Sequence, residues 1–322
     1  MSHPGSSKSQ SNKTKILGHA KYSMRVQAEK YIAAKANRGK SKASGAKLRS
    51  DRTVLRYQGD LGRAAEFIQK TYGIKKLKDI TPEQAQSYIR ERLAEKIGVR
   101  TVQGYAKALE TLPLVSKLEV PSRSADPNDK PQNSRAYTSA QIIAIQQNLS
   151  KPVQLATQII LESGCRAQDF ASLCLATERP IRNARLSKLH ADRFAGREDW
   201  VQVNFIGKGG HEYTSTISSE TAKALVYYRM DIPCDFRERK QENIVTKQYY
   251  NLPAGLQLSY LWSQASKSTL GFSRGLHGLR HTFAQWRVKE MQSLDMTWQK
   301  VLESVSQQMG HYRAEQISTY LR

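Results

Sequence analysis

Apolar residues recur at helical spacing through the first third of the chain. Within residues 50–116 they repeat every three to four positions, and the repeat breaks at Tyr72-Gly73. Such a period places them on one face of a helix. Thr81-Pro82-Glu83-Gln84 is a capping box with proline at the first helical position, so a second helix begins there. We predict a small all-helical bundle over 50–116, followed by a proline-containing linker over 117–136.

Residues 137–322 mix two periods. Thr138-Ser139-Ala140-Gln141 is another capping box, which begins a helix. Residues 200–205 alternate between apolar and polar side chains, and the turn Gly207-Lys208-Gly209-Gly210 joins them to a returning strand at 213–217, which predicts a β-hairpin. Further helices are expected near 151–163, 219–229, 258–265, 277–291, 298–309 and 314–321.

The first 49 residues differ in composition from the rest. The first 50 positions hold twelve basic side chains and one acidic side chain, Glu29, among mostly serine, glycine and alanine. Too few large apolar residues remain to build a core, although Met24, Tyr31 and Ile32 would share a face of a short helix. The segment 1–49 is therefore interpreted either as a solvated tail or as a basic arm that follows DNA phosphates.

The charge of the whole chain narrows the class of partner. Lys and Arg number 51 against 28 Asp and Glu, a formal net charge of +23, in a sequence that is 39% hydrophobic and 25% charged. In a soluble globular protein this excess favours a polyanion, because each cation placed on a phosphate releases counterions. The basic side chains of the helical bundle that we expect to meet DNA phosphates are Lys75, Lys76, Arg90, Arg100 and Lys107.

Other classes of protein are disfavoured. Cys165, Cys174 and Cys234 are too few and too irregularly spaced for a disulfide framework or a zinc cluster, and they fit a reducing compartment. His277 and His281 have the spacing of half a zinc site, but glycine stands where the acid of the HExxH motif would be, so no metal is expected. The sequence has no run of about 18 apolar residues and no secretory signal core, so no membrane partner is expected.

Several residues of the second half could carry chemistry, and each has an ordinary alternative role. Arg166 and Asp169, three residues apart, fit a surface ion pair. Lys208 in its glycine-rich turn fits a solvated side chain. A histidine near a helix start, such as His277, often caps or packs, and Tyr320 fits a packing residue.

The order and spacing of these residues resemble those of the tyrosine recombinases, the phage-integrase family. Gly164-Cys165-Arg166-Ala167-Gln168-Asp169 is similar to their first arginine box, with aspartate where glutamate is commoner. His277-Gly278-Leu279-Arg280-His281-Thr282-Phe283-Ala284 resembles the second box. Met309-Gly310-His311, with Tyr320 nine positions later, resembles the third. The resemblance covers roughly residues 50–322.

The resemblance implies a mainly α fold with a small β-hairpin or sheet. An N-terminal helical core-binding (SAM-like) bundle would precede an α+β catalytic domain at 137–322. Family members usually carry a further segment after the tyrosine that packs on a neighbouring subunit, whereas here two residues follow Tyr320. On this comparison, either the chain is truncated or its assembly contacts come from elsewhere.

The resemblance also implies how the transition state is stabilised. Attack on a phosphodiester places charge on the non-bridging oxygens, and two guanidinium forks can hold that charge in planar geometry. Arg166 and Arg280 would take this role, with Asp169 orienting Arg166. His311 would donate a hydrogen bond to the phosphate.

The same resemblance assigns the proton transfers. Tyr320 would be the nucleophile, and His277 would be its general base, because a phenol with a free pKa of about 10 needs one. Lys208 would protonate the leaving 5′ oxygen. The product would be a 3′-phosphotyrosine and a free 5′-hydroxyl, and no cofactor is required.

The function expected from the resemblance is site-specific recombination or integration that integrates or excises a mobile element. The partners would be double-stranded DNA, three further copies in a homotetramer on paired sites, and accessory DNA-bending proteins, in the bacterial cytoplasm at the nucleoid. A relaxing enzyme like the type IB topoisomerases would use the same residues. A non-enzymatic DNA-binding or architectural protein would not need Tyr320, and a metal-dependent nuclease would fail in a chelator.

Overall fold

The chain forms two compact units, Met1–Pro131 and Gln132–Arg322. The computed structural model describes residues 23–36, 51–122, 134–181, 189–207, 210–237 and 245–321. These residues are mostly helical, with small antiparallel sheets, so the expected fold class is confirmed. Of the helices in the described ranges, none combines the length and the apolar character needed to span a membrane.

The first unit is a helical bundle. Its elements are α1 (Met24–Lys35), α2 (Asp51–Tyr72), a 3-10 turn (Leu77–Asp79), α3 (Pro82–Ala94) and α4 (Val99–Leu109). The predicted capping box forms at the start of α3, where the Thr81 hydroxyl accepts from the Gln84 amide and the Gln84 side chain accepts from the Thr81 amide. The helices share one apolar core, which includes Leu61, Ile68, Ile89 and Val102.

Helix α1 belongs to that core. Met24, Ala28 and Ile32 recur at i, i+4 and i+8, and each is 0% exposed. The Ser23 hydroxyl caps the helix by accepting from the amide of Val26 at 3.2 Å. Residues 24–35 are therefore neither a solvated tail nor a free arm. The rest of the predicted arm lies outside the described residues.

The second unit combines helices with two small sheets. Its elements are α5 (Ser139–Gln147), α6 (Lys151–Ser163), a 3-10 turn (Asp169–Ser172), β1 (Cys174–Leu175), β2 (Val201–Ile206), β3 (Glu212–Ile217), α7 (Ser219–Val226), β4 (Arg229–Arg237), β5 (Val245–Tyr250), α8 (Gly255–Leu270), α9 (His277–Gln292), α10 (Trp298–Gln308) and a 3-10 helix (Ala314–Thr319). Apolar side chains of α5, α6, α8 and α9 gather in one core with those of β2 and β3.

Both sheets are antiparallel, and the sequence predicted only the hairpin in the first of them. Strands β1, β2 and β3 pair in that order, and β2 and β3 form the predicted hairpin, with Val203 opposite Ser215. Strands β4 and β5 form a separate pair that was not predicted. The helix expected to reach Arg229 ends at Val226. Strand β4 is largely solvent-exposed and contains Pro233, so neither alternation nor residue preference marked it.

The end of helix α6 approaches α9 closely. Helix α6 is capped at its C-terminal end by Gly164, which has a φ of 65° and donates its amide hydrogen to the Ile160 carbonyl at 2.9 Å. A Cβ atom at this glycine would lie 2.2 Å from Cδ1 of Phe283 in α9. A left-handed residue without a side chain is thus required where the two helices meet. This close approach sets the position of Arg166, two residues later.

We expect Gly164→Ala to lower the free energy of unfolding by about 2–4 kcal/mol, because the methyl group would strain a positive φ and overlap Phe283. Gly271→Ala is the matched control, since Gly271 ends α8 with a φ of 76° and has nothing within 4 Å of its Cβ position. Gly271→Ala should lower the free energy of unfolding by only about 1 kcal/mol, the cost of a positive φ without a steric overlap. Denaturant unfolding followed by circular dichroism measures both, and equal losses would show that Phe283 moves aside freely.

Candidate active site

Tyr320 lies at the centre of a cluster of polar side chains. The helix expected at 314–321 is a 3-10 helix, and Tyr320, which follows it, is 8% exposed. Its hydroxyl oxygen lies 3.2 Å from Nε of Arg280, which donates to it, and 3.3 Å from Nε2 of His311. Two of the predicted site residues therefore contact the predicted nucleophile directly.

Arg280 ties three segments together. It lies on α9, is 0% exposed, and donates from Nη1 to the Gly164 carbonyl and from Nη2 to the Met309 carbonyl, the latter at 2.7 Å. With Nε on the Tyr320 hydroxyl, all three nitrogens have acceptors. The guanidinium is therefore fixed by the end of α6, the end of α10 and the tyrosine.

His311 is held in a defined tautomer. Its Nε2 lies 3.1 Å from Nη2 of Arg166, and because a guanidinium only donates, Nε2 is the acceptor and Nδ1 carries the proton. The Tyr320 hydroxyl consequently donates to the same Nε2. Loss of solvation, followed by repulsion from Arg280 and Arg166, lowers the pKa of His311 to about 3. The imidazole is therefore neutral at physiological pH.

Arg166 is positioned by a buried carboxylate. Its Nη1 lies 3.2 Å from Oδ2 of Asp169, with the Arg166 side chain 28% exposed and the Asp169 side chain 3% exposed. The same Oδ2 accepts a hydrogen bond from the Tyr213 hydroxyl at 2.9 Å. The pair predicted from sequence forms, and it differs from an ordinary surface ion pair in that the acid is inside the protein.

Two further histidines pack against Tyr320. His277, the first residue of α9, is reached by solvent, and its ring centroid lies 5.6 Å from that of Tyr320. Surrounding protein atoms still remove much of its solvation, and together with Arg280 they lower the pKa of His277 to about 3. His281 is 3% exposed and donates from Nδ1 to the Tyr320 carbonyl at 3.3 Å, and burial lowers its pKa to about 4.

The second unit brings together most of the predicted site. The residues that converge are Arg166, Asp169, His277, Arg280, His311 and Tyr320. Lys208 lies outside the described residues, between Gly207 and Gly210, where the Gly210 amide donates to the Gly207 carbonyl at 3.1 Å. Tyr213 was missed, because alternation along β3 indicated only which residues of the strand are buried.

The five basic residues predicted to contact DNA lie in the first unit. All five side chains are exposed to solvent: Lys75, Lys76, Arg90, Arg100 and Lys107. Exposure leaves them free to approach a phosphate, and their contact with DNA stays a prediction.

The donor groups of the described residues do not assemble a metal site. In those ranges, no group of three or more His, Cys, Asp and Glu side chains is placed to hold an ion. The rings of His277 and His281 meet edge to face with centroids 5.3 Å apart, and Nδ1 of His281 is engaged with a carbonyl.

Comparison with known proteins gives a likeness of fold. No protein-family model and no curated protein matches the sequence. A XerH site-specific recombinase bound to difH substrate in a pre-cleavage complex is 15% identical, with a TM-score of 0.53 over 98% of this chain and 86% of that one. A lambda integrase tetramer bound to a Holliday junction is 13% identical, with a TM-score of 0.54 over 92% and 76%. A Tn1549 transposon integrase in complex with transposon right end DNA is 11% identical, with a TM-score of 0.52 over 92% and 94%.

The pKa of His281 generates a prediction for stability. Its value of about 4 in the folded chain lies below the ordinary 6.5, so a proton binds the unfolded chain more tightly. The contribution to stability is therefore complete above about pH 6.5 and is lost as the pH falls towards 4, by roughly 2 kcal/mol after screening by solvent is allowed for. We expect urea unfolding at pH 7, 5.5 and 4.5 to show a smaller acid loss for His281→Gln than for the unmodified chain. Parallel losses would contradict this assignment.

Proposed function

We propose that this chain, which has the fold of the tyrosine recombinases, is a site-specific recombinase or integrase that cleaves and rejoins double-stranded DNA through a phosphotyrosine at Tyr320. The observation that carries the proposal is the Tyr320 hydroxyl, 3.2 Å from Nε of Arg280 and 3.3 Å from Nε2 of His311, whose Nε2 also lies 3.1 Å from Arg166. A phenol among guanidiniums and neutral imidazoles suits nucleophilic attack on a phosphodiester.

The position now filled by the tyrosine hydroxyl suits a phosphate oxygen. Arg280 donates from Nε to the group at this position, and Arg166 contacts His311, which also borders it. We assign this position to a non-bridging oxygen of the scissile phosphate, because guanidinium forks match phosphate geometry. The phosphate would displace the hydroxyl and draw Arg166 away from His311. His311 would then donate to the phosphate from Nε2, in its other tautomer.

The displaced hydroxyl needs a proton acceptor. We assign this role to His277, as the family resemblance implies, because its ring lies beside that of Tyr320 and faces solvent. The pKa of His277 is about 3 without DNA, and a phosphate anion nearby would raise it and make the imidazole a stronger base. The neutral imidazole can accept the proton as the tyrosine oxygen attacks.

The bond changes balance without an outside energy source. The Tyr320 oxygen bonds to phosphorus, the bond from phosphorus to the 5′ oxygen breaks, and the products are a 3′-phosphotyrosine and a 5′-hydroxyl. We assign protonation of the 5′ oxygen to Lys208. Because the phosphotyrosine keeps the energy of the phosphodiester, attack by a 5′-hydroxyl rejoins the strand without ATP.

Charge and fold together support the partners we propose. The net charge of +23 favours a polyanion, and the XerH and lambda integrase structures are complexes with DNA. Because the lambda integrase structure is a tetramer on a Holliday junction, we propose a homotetramer on paired sites. Accessory DNA-bending proteins are a further proposed partner. The likeness to a transposon integrase supports integration or excision of a mobile element. We propose that the protein acts in a bacterial cytoplasm, at the nucleoid.

Replacing the nucleophile tests the proposal directly. We expect Tyr320→Phe to bind duplex DNA as the unmodified chain does but to form no covalent adduct with a nicked suicide substrate, because only the attacking oxygen is removed. Denaturing gels detect the adduct. Tyr312→Phe is the matched control, since Tyr312 is also next to His311 in the fold but donates its hydroxyl to the Glu212 carbonyl at 3.3 Å. It should keep the adduct.

Two results would overturn the proposed function. Adduct formation by Tyr320→Phe would mean that another group attacks the phosphate. Specific DNA binding without any adduct from the unmodified chain would instead favour a DNA-binding protein that does no chemistry.

Loss of either arginine should affect both cleavage and stability. Arg166→Ala and Arg280→Ala should each slow cleavage about a hundredfold or more, as expected when a fixed charge stabiliser is lost. Both should also lower the melting temperature. Arg280→Ala leaves two buried carbonyls without a donor, and Arg166→Ala leaves the buried Asp169 carboxylate without its cation. Single-turnover cleavage and thermal unfolding measure the two effects. Unchanged cleavage by Arg166→Ala would exclude it from the phosphate site.

A further inference from the structure

Tyr213 contacts the first arginine box through the buried carboxylate of Asp169. It lies on β3, is 2% exposed, and donates its hydroxyl to Oδ2 of Asp169 at 2.9 Å. The same oxygen accepts from Nη1 of Arg166 at 3.2 Å. One carboxylate oxygen thus accepts hydrogen bonds from both a buried phenol and the guanidinium, so the position of the carboxylate depends on both.

The ring of Tyr213 also contacts the turns that carry two other predicted residues. A Cβ atom on Gly310, which precedes His311, would come within 2.7 Å of the ring, and one on Gly207, which precedes Lys208, would come within 3.3 Å. Phe205 of β2 stacks on the ring with centroids 5.4 Å apart. Both turns lie this close because each presents a glycine.

The hydroxyl of Tyr213 acts as a permanent donor. Burial and then the charge of Asp169 raise the pKa of Tyr213 well above 10, so the phenol keeps its proton at any pH used for assay. The hydrogen bond to the carboxylate is therefore constant, and the group takes no part in proton transfer.

We propose that Tyr213 is a positioning residue for the phosphate site, acting through Asp169 on Arg166 and through Gly310 on His311. The argument is geometric, since Arg166 and His311 touch each other at 3.1 Å and each is also connected to this one ring. Asp169 without its phenol partner would keep its charge but lose the contact that fixes its direction. Arg166 would then sample orientations that miss the phosphate. The inference rests on the proposed function, because it concerns the same phosphate site.

Removing only the hydroxyl tests this role. We expect Tyr213→Phe to slow single-turnover cleavage at saturating protein by about tenfold, with the Kd for duplex DNA changed less than about twofold. The ring stays in place, so packing against Phe205 and Gly310 is preserved. A slower cleavage rate without a matching change in Kd distinguishes positioning from a general structural role, which would change both.

The chain offers a matched control outside the site. Tyr250 is 4% exposed and donates its hydroxyl to Oε2 of Glu178 at 3.3 Å, and Glu178 pairs with Arg229 at 3.1 Å. This is the same order of tyrosine, carboxylate and arginine, without any of the proposed catalytic residues. Tyr250→Phe should leave cleavage unchanged while costing similar stability. A tenfold loss there as well would overturn the inference.

A double variant tests the route through the carboxylate. Asp169→Asn alone should also slow cleavage about tenfold, and Tyr213→Phe with Asp169→Asn should be no slower than the slower single variant, because both act on Arg166 through one contact. Losses that multiply to about a hundredfold, or a Tyr213→Phe rate equal to that of the unmodified chain, would overturn the inference. Failure of the proposed function is a separate result, in which the unmodified chain forms no adduct at Tyr320.

Discussion

The buried guanidinium of Arg280 is the interaction on which the arrangement of the second unit depends. A cation removed from water loses several kcal/mol of solvation, so it persists only where its donors are satisfied. Its acceptors come from the Gly164 carbonyl, the Met309 carbonyl and the Tyr320 hydroxyl, which belong to three separate segments. Because these three segments meet at one cation, Arg166, His311 and Tyr320 also lie close together.

A second buried guanidinium lies two helical turns further along α9, where α9 contacts α10. Arg287 lies seven residues after Arg280, on the same face of α9, and is also 0% exposed. It donates to the Gln308 side chain at 3.2 Å and to the Ala195 carbonyl at 2.8 Å, and pairs with Glu290 at 2.8 Å. The hydrogen bonds of Arg287 therefore fix how α9 and α10 pack, together with the apolar contacts between them. His311, which follows α10, is positioned by this packing.

Local patterns predicted much of the fold, and spacing predicted the members of the site. The capping box at Thr138 begins a helix, and the helix predicted at 151–163 has those bounds, because caps and periodicity act within a few residues. Strand β4 was missed because Pro233 and its exposed faces remove both signals. The convergence of Tyr213 on Asp169 spans 44 residues, and such a contact is decided by tertiary packing, which periodicity does not report.

The described side chains of the site carry an excess of positive charge. The guanidiniums of Arg166 and Arg280 lie in the site with one carboxylate, that of Asp169, and a third guanidinium, that of Arg135, lies near His277. The neighbouring histidines are neutral because burial and these cations lower their pKa values. A phosphodiester brings one negative charge, so under the proposed function it would offset part of the excess. The same anion would raise the pKa of His277. Under the proposed function, loss of solvation and the nearby cations would therefore hold the pKa of His277 low before DNA binds, and the bound phosphate would raise it.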